Sequence, residues 1–224
     1  YLTEPTSLTQ TFQTQPDSVY GQSQMAQSIN RQDQHWAYGI YDWAPNTTSA
    51  FEFDFHFSNS QGQNQFASSG SSRFNDTLAN ANQRTIQDKV SRQNIGEAIF
   101  WRIQLGDRAD RVLSVDAGMT KIDGTTDGYL YSINQFYQPN GSILIMDTVD
   151  QRKLIGSHSL DVGGGINFTE PLWKGLVLGV SYRIYHNGDA PLQLTFDRGE
   201  GKYQEMVDSL SSRFKTEEIN QRAT

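Results

Sequence analysis

The chain has 224 residues, a formal net charge of −7 and no cysteine, with a pI of about 5.0 and a mean hydropathy of −0.62. One or two domains fit that length, the acidic balance argues against a nucleic-acid footprint, and the missing cysteines exclude disulfides and thiolate metal sites. No run reaches the roughly 18 apolar residues of a membrane helix, although a membrane β-barrel can hide behind low hydropathy because its strands alternate apolar and polar residues.

The chain opens at Tyr1 without a Met or a signal peptide, so a processed or truncated product is expected. Residues 1–32 are dominated by Asn, Gln, Ser and Thr, a composition of disorder or of long surface loops. His35–Trp43 alternates imperfectly through Trp36, Tyr38 and Ile40. The clearest signal follows at Ala50–Ser58, where Phe51, Phe53, Phe55 and Phe57 alternate with Glu52, Asp54 and His56. A period of two puts one face of a strand wholly in phenylalanine and the other wholly in polar residues.

Residues 58–94 are again polar and read as a long loop. Glu97–Leu105 then sets Ile99, Trp101, Ile103 and Leu105 against Ala98, Phe100, Arg102 and Gln104. Arg111–Thr120 sets Leu113, Val115, Ala117 and Met119 against Ser114, Asp116, Gly118 and Thr120. His158–Phe168 opposes Leu160, Val162, Ile166 and Phe168 to Ser159, Asp161 and Asn167. In Leu176–Tyr185, Leu176, Leu178, Val180, Tyr182 and Ile184 oppose Gly179, Ser181 and Arg183. Most of these six segments are near the 9–11 residues that a tilted strand needs to cross a bilayer.

The connections alternate in length. Residues 43–49, 106–110 and 169–175 read as short turns, and 58–95, 121–157 and 186–220 as long loops. That asymmetry is the one expected of outer-membrane barrels, with the short turns periplasmic. Trp43 and Trp173 sit where an interfacial aromatic girdle would place them. Within the long stretches, Tyr129–Tyr137 and Leu192–Phe196 look like short strands, and Met206–Phe214 like a strand or a short helix.

The expected fold is all-β: an antiparallel transmembrane β-barrel segment of about six spanning strands, in which residues 1–224 form part of one outer-membrane domain. Its lumen-facing residues would be Glu52, Asp54, His56, Arg102, Asp116, Asp161 and Arg183. Its lipid-facing residues would be Phe51, Phe53, Phe55, Phe57, Ile99, Trp101, Leu178 and Val180.

Chemistry-bearing motifs are sparse. His35, His56, His158 and His186 lack metal-ligand spacing, which such sites need. Asp123-Gly-Thr-Thr-Asp-Gly128 lacks the later Glu of a calcium loop and reads as a solvated turn. Gly163-Gly-Gly165 lacks the Lys-Ser/Thr of a phosphate loop and reads as a strand bend or close backbone approach. No catalytic residue, metal site or cofactor is expected, and the ligand is not readable.

An ordered set of segments carries a resemblance: Phe57-Ser-Asn-Ser-Gln-Gly62, Asp127-Gly-Tyr-Leu-Tyr-Ser-Ile-Asn-Gln-Phe-Tyr137, Phe168-Thr-Glu-Pro-Leu172, Gly201-Lys-Tyr203 and Asp208-Ser-Leu-Ser-Ser-Arg-Phe214. In order and spacing, across roughly residues 30–222, the chain resembles the outer-membrane β-barrel proteins of Bacteroidota, which are similar to TonB-dependent receptors. The resemblance implies the middle of a larger barrel, with Asn220-Gln-Arg222 starting a further strand. It also implies a plug domain elsewhere, since no plug and no TonB box is recognisable in this sequence.

The implied function is receptor or transporter: a barrel segment taking up a solute in the bacterial outer membrane, and not an enzyme. Its partners would be outer-membrane lipid, the rest of the barrel, and a plug, TonB-type coupling or other assembly subunits, with no nucleic acid. The alternatives are a non-transporting barrel scaffold in a surface or secretion assembly and a secreted glycan-binding β-sandwich.

Overall fold

The alternation in the sequence becomes one antiparallel sheet. The computed structural model describes residues 2–3, 6–15 and 18–224, and among these the chain forms twelve strands in a single sheet. They are β1 (Leu2–Thr3), β2 (Thr6–Gln15), β3 (Ser18–Asn46), β4 (Ser49–Phe74), β5 (Thr77–Gln104), β6 (Val112–Tyr137), β7 (Ile143–Trp173), β8 (Leu176–Asp189), β9 (Leu192–Gly199), β10 (Lys202–Met206), β11 (Ser212–Arg213) and β12 (Thr216–Ala223). The main path runs β1-β3-β4-β5-β6-β7-β8-β12, every pairing is antiparallel, and the sheet is not closed into a barrel. Among the described residues no helix is long and apolar enough to cross a membrane, which says nothing about strands.

All six expected segments are strand, and β12 adds a seventh at their level, beginning four residues before the expected start at Asn220. The stretches read as long loops are not loops. Residues 58–95 are the continuous β4–β5 hairpin, most of 121–157 is the β6–β7 hairpin, and 186–220 contains β9 to β11 and the start of β12. Strands of 26 to 31 residues result for β3 to β7. At about 3.3 Å per residue such strands extend roughly 85–100 Å, some three times the 9–11 residues that span a bilayer. Asp123–Gly128, expected as a turn, lies in mid-strand in β6. Met206–Phe214 holds the end of β10, a single 3-10 turn at Asp208–Leu210 and the short β11.

The physical reason is register. Once the alternating segments have fixed the pairing, each further polar residue extends the ladder with two satisfied backbone groups, and Ser, Thr, Asn and Gln tolerate it when both faces are wet. Tight turns then close the far ends. Asn75 and Asp76 take φ of +45° and +63°, the left-handed pair that a two-residue hairpin turn requires. At the opposite end, the Asn46 carboxamide accepts from the Thr48 N–H at 3.0 Å and from its hydroxyl at 2.8 Å. There the β3–β4 and β7–β8 turns shrink to residues 47–48 and 174–175, shorter than the expected 43–49 and 169–175.

The sheet has no buried hydrophobic residue among those described; Thr195 is the one fully buried side chain. Above the segments of alternating apolar residues, charge pairs tie the long strands together on one face. Arg152 donates twice to Asp127, each at 2.8 Å. Lys121 Nζ and His158 Nδ1 both meet Asp123, at 2.7 and 2.6 Å. Tyr203 of β10 donates to Asp150 of β7 at 2.7 Å and stacks edge-on against Tyr129 with centroids 5.4 Å apart.

These pairs predict a pH response. Hydrogen bonds from Arg152 hold the Asp127 carboxyl below its ordinary value of 3.8, and those from Lys121 and His158 do the same for Asp123. A depressed folded value adds stability at neutral pH, and that stability is lost as pH falls through the folded value. Asp88, raised by burial on the opposite face, works in the other direction. Amide exchange in β6 and β7, corrected for intrinsic rate, should therefore accelerate as pH drops below about 4. Asp127→Asn should be already fast at pH 7 near Arg152 and respond less to acid; an acid response equal to wild type would contradict this.

Candidate functional site

Directly paired residues of an antiparallel sheet share a face, so register sorts every side chain. Phe51, Phe53, Phe55 and Phe57 share theirs with Trp43 and Tyr41 on β3 and with Trp101, Ile99 and Ile95 on β5. The row continues through Leu113, Val115, Ala117 and Met119 on β6, Leu160 to Phe168 on β7, and Leu178 to Ile184 on β8. All eight residues expected to face lipid lie on this one face. Along β7 or β8 the band is about 25 Å tall. Arg111 and Glu170 pair at 2.6 Å on the same face near the short-turn end, and exposed Trp43, Trp101 and Trp173 lie close by.

Four residues depart from a clean division of apolar and polar faces. Trp36, Tyr38 and Ile40 pair with Ser58, His56 and Asp54 and so belong to the polar face; the outward aromatics of β3 are Tyr41 and Trp43. Glu97 pairs with Phe55 and Met119 and so lies inside the apolar band, one row below its upper edge at Phe57–Ile95. A charge near the edge of such a band costs little, whereas at mid-depth it would cost more.

The opposite face holds all seven residues expected to face a lumen. Glu52, Asp54, His56, Asp116 and Asp161 line one open hollow of about 500 Å³, together with Tyr38, Phe100, Thr120, Tyr185 and Asn187. Arg183 borders it, donating to Asp116 at 3.1 Å and to the Tyr185 hydroxyl at 2.9 Å. The Asn187 amide donates to Asp161 at 3.0 Å. One carboxylate oxygen of Asp54 is buried without a hydrogen-bond partner. Arg102 is not brought in; it lines a separate hollow beside Asn46, Thr48 and Ala50 at the short-turn end.

The floor of the hollow is glycine. His56 lies across Gly96, and Tyr185 across Gly163, where any Cβ would run into the rings. Gly164 lies so close to the Asp116 carbonyl that its Cβ would come within 2.8 Å. The reading of Gly163–Gly165 as a close backbone approach therefore holds. Alternation already put Phe100 with Arg102 and Tyr185 in phase with Arg183, but that these rings and Tyr38 wall one hollow is decided by register between strands. Sequence reasoning missed the glycine floor because Gly96, Gly118 and Gly163 are brought together by pairing, not by spacing.

The arrangement is a mixed-sign, hydrogen-bonding surface walled by aromatic rings, suited to holding a polar solute. The four histidines are dispersed: His56 on this face, and His35, His158 and His186 on the other. Compared with models of known families and with curated proteins, the chain matches none.

The glycine floor is testable through His56. Gly96→Ala forces the imidazole off its seat and should cost roughly 1–3 kcal/mol in a denaturant-unfolding midpoint. In a His56→Ala background the same change should cost much less. Strict additivity of the two would mean that the ring does not rest on Gly96.

Proposed function

We propose that this chain builds part of the wall of a bacterial outer-membrane β-barrel of the receptor or transporter kind, resembling TonB-dependent receptors, with its polar face toward a solute path. One observation carries the proposal: a sheet in which no described apolar residue is buried presents a continuous apolar band on one face across β3 to β8. The band's height of about 25 Å corresponds to the outward apolar belt of such barrels, and the tryptophans near its lower rim fit an interfacial girdle. On this reading the hollow floored by Gly96 and Gly163 faces the lumen, and Glu52, Asp54, His56, Asp116, Asp161 and Arg183 line the path. Uptake of a solute, coupling to a plug and location in the outer membrane follow from the resemblance.

A second reading has its own support. The sheet has open edges at the level of the band, along residues 33–46 of β3 and along β12, among the described residues. Strands of other chains could close them, as in a non-transporting scaffold of a surface assembly. A glycan-binding sandwich would need a second layer over the apolar band, and the described residues form one layer.

Replacing Phe53 with Arg should destabilise the bilayer-inserted protein by roughly 2–4 kcal/mol if it lies near mid-depth, while Asp54→Asn on the other face should change little. Equal costs at the two sites in urea unfolding from lipid vesicles would defeat the assignment of faces.

Topology gives an independent check. Successive strands carry the chain back and forth, so the turns at Thr47, Asp107 and Lys174 lie at one end and those at Asp76, Gly141 and Glu200 at the other. Single cysteines at the second three should react with a membrane-impermeant thiol reagent on intact cells, and those at the first three should be spared. Uniform labelling of all six would indicate a soluble surface domain, and the reverse pattern an inverted orientation.

A further inference from the structure

The polar face carries unbalanced charge at the level of its hollow. From the row of Asp42 and Glu52 up to the row of Tyr38 and His56, that face holds Asp42, Glu52, Asp54, Asp116, Asp161 and Glu218 against Arg183 and Arg222. Both guanidiniums lie to one side, on β8 and β12, and Arg183 is taken up by Asp116. Arg102 stands one row lower, in the separate hollow of the short-turn end. Glu52, Asp54 and Asp161 line the hollow itself and make no ion pair with any described residue. Asp161 accepts from the neutral Asn187 amide, and one Asp54 oxygen has no hydrogen-bond partner.

These carboxylates do not converge. Asp54 on β4 and Asp161 on β7 are three strands apart, about 14 Å at the usual strand spacing, and no three described His, Asp or Glu side chains come together as a metal site would need. What joins them is a trough. The row that starts at Asp54 continues through Ala98, Gly118 and Gly163 to Tyr185, so its floor is backbone and one methyl group. Phe100 and Asp116 stand in the row on one side, and His56, Thr120 and Asp161 in the row on the other. Tyr38, Phe100 and Tyr185 keep exposed rings here, and the faces of such rings attract organic cations. A long apolar floor edged by separated carboxylates and rings fits neither a compact metal ion nor an anion. It fits a chain of methylenes carrying several positive charges, each offsetting a carboxylate that the protein leaves without a cation.

We propose that this trough binds an elongated aliphatic polyamine, with its methylene runs on the floor of Ala98, Gly118 and Gly163 and its ammonium groups at Glu52, Asp54 and Asp161. The site rests on the reading of the polar face as the wall of a solute path. It gives that path a charge selectivity, holding polycations and repelling anions.

The test reconstitutes the protein in phosphatidylcholine nanodiscs, whose lipid has no net charge to compete, and titrates it with spermine and with spermine acetylated at both terminal amines. Protease protection of the band segments is scored in parallel. Wild type should bind spermine about tenfold more tightly than the diacetylated form. Asp54→Asn with Asp161→Asn should remove most of that preference with the protection pattern unchanged, and Asp54→Glu with Asp161→Glu should preserve it. Equal affinity of wild type for the two compounds, or an undiminished preference in the double amide variant, overturns the site while leaving the membrane reading intact. Displacement of spermine by magnesium ion as readily as by unlabelled spermine, at equal ionic strength, overturns the elongated site in favour of a compact cation. Loss of band protection in wild type overturns the membrane reading, and the site with it.

Discussion

The structure depends on one missing thing: the described residues form no apolar core. The chain exposes 15707 Å², whereas a compact globular chain of 25.3 kDa exposes about 10,300 Å². The excess is what a single layer implies, since a sheet with nothing packed on either face leaves both open. Backbone hydrogen bonds are largely satisfied within the ladder, but they are a small net contribution. Apolar area removed from water contributes about 25 cal/mol per Å², and within this sheet little of it is removed. Something outside the described sheet must cover the band, because exposed apolar patches beyond a few hundred Å² mark interaction surfaces.

That constraint orders the rest. A face that meets an apolar medium has no use for isolated ionised groups, and Glu52, Asp54, Asp116 and Asp161 at that level point the other way; the exceptions are Glu97 of β5 near the band's upper edge and Glu170 of β7, paired with Arg111 at the short-turn end. The polar face can then be hollow, because it needs no packing partner: Gly96 and Gly163 accept the His56 and Tyr185 rings in place of side chains of their own. Beyond the band both faces become hydrophilic. Cross-strand pairs such as the Asp127–Arg152 ion pair and the Asp123–His158 hydrogen bond then hold hairpins that have no apolar cover. Exposed pairs of this kind are individually weak, so the long hairpins owe their order mainly to the register set lower down.

The parts legible in the sequence were those where period and composition agree. Phe51 to Phe57 could only be one face of a strand, and the residues expected to face lipid share one face of the sheet while those expected to face a lumen share the other. Trp36, Tyr38 and Ile40 misled because β3 carries aromatic residues on both faces, and alternation within one strand cannot say which set faces which side. Glu97 opens its segment in phase with Ile99, so the same alternation that puts Ile99 on the apolar face puts Glu97 there too. The polar stretches looked like loops because polar residues carry no period-two contrast once both faces are wet; the signal was in the turn residues, with Asn75-Asp76 closing one hairpin. The hollow was half legible. Its charges could be listed from alternation, but which of them meet, and that Arg102 stays apart, is decided by pairing offsets between strands distant in sequence.

The open edges carry the last step. The outer side of β3 is covered above the band by β2 over Thr6–Gln15 and by β1, yet among the described residues it has no strand partner along residues 33–46 at the level of the band. Among the described residues β12 is likewise paired on one side only, with β8. Bare N–H and C=O groups in water cost little, since water replaces the missing strand. In a bilayer each costs several kcal/mol, which is why only closed β-structures span it. If the band meets lipid, both edges must therefore be paired there by further strands. The two readings of function then reduce to one structural question: whether those strands belong to the same polypeptide, closing a lumen around the hollow of β4 to β8, or to other chains of a larger wall.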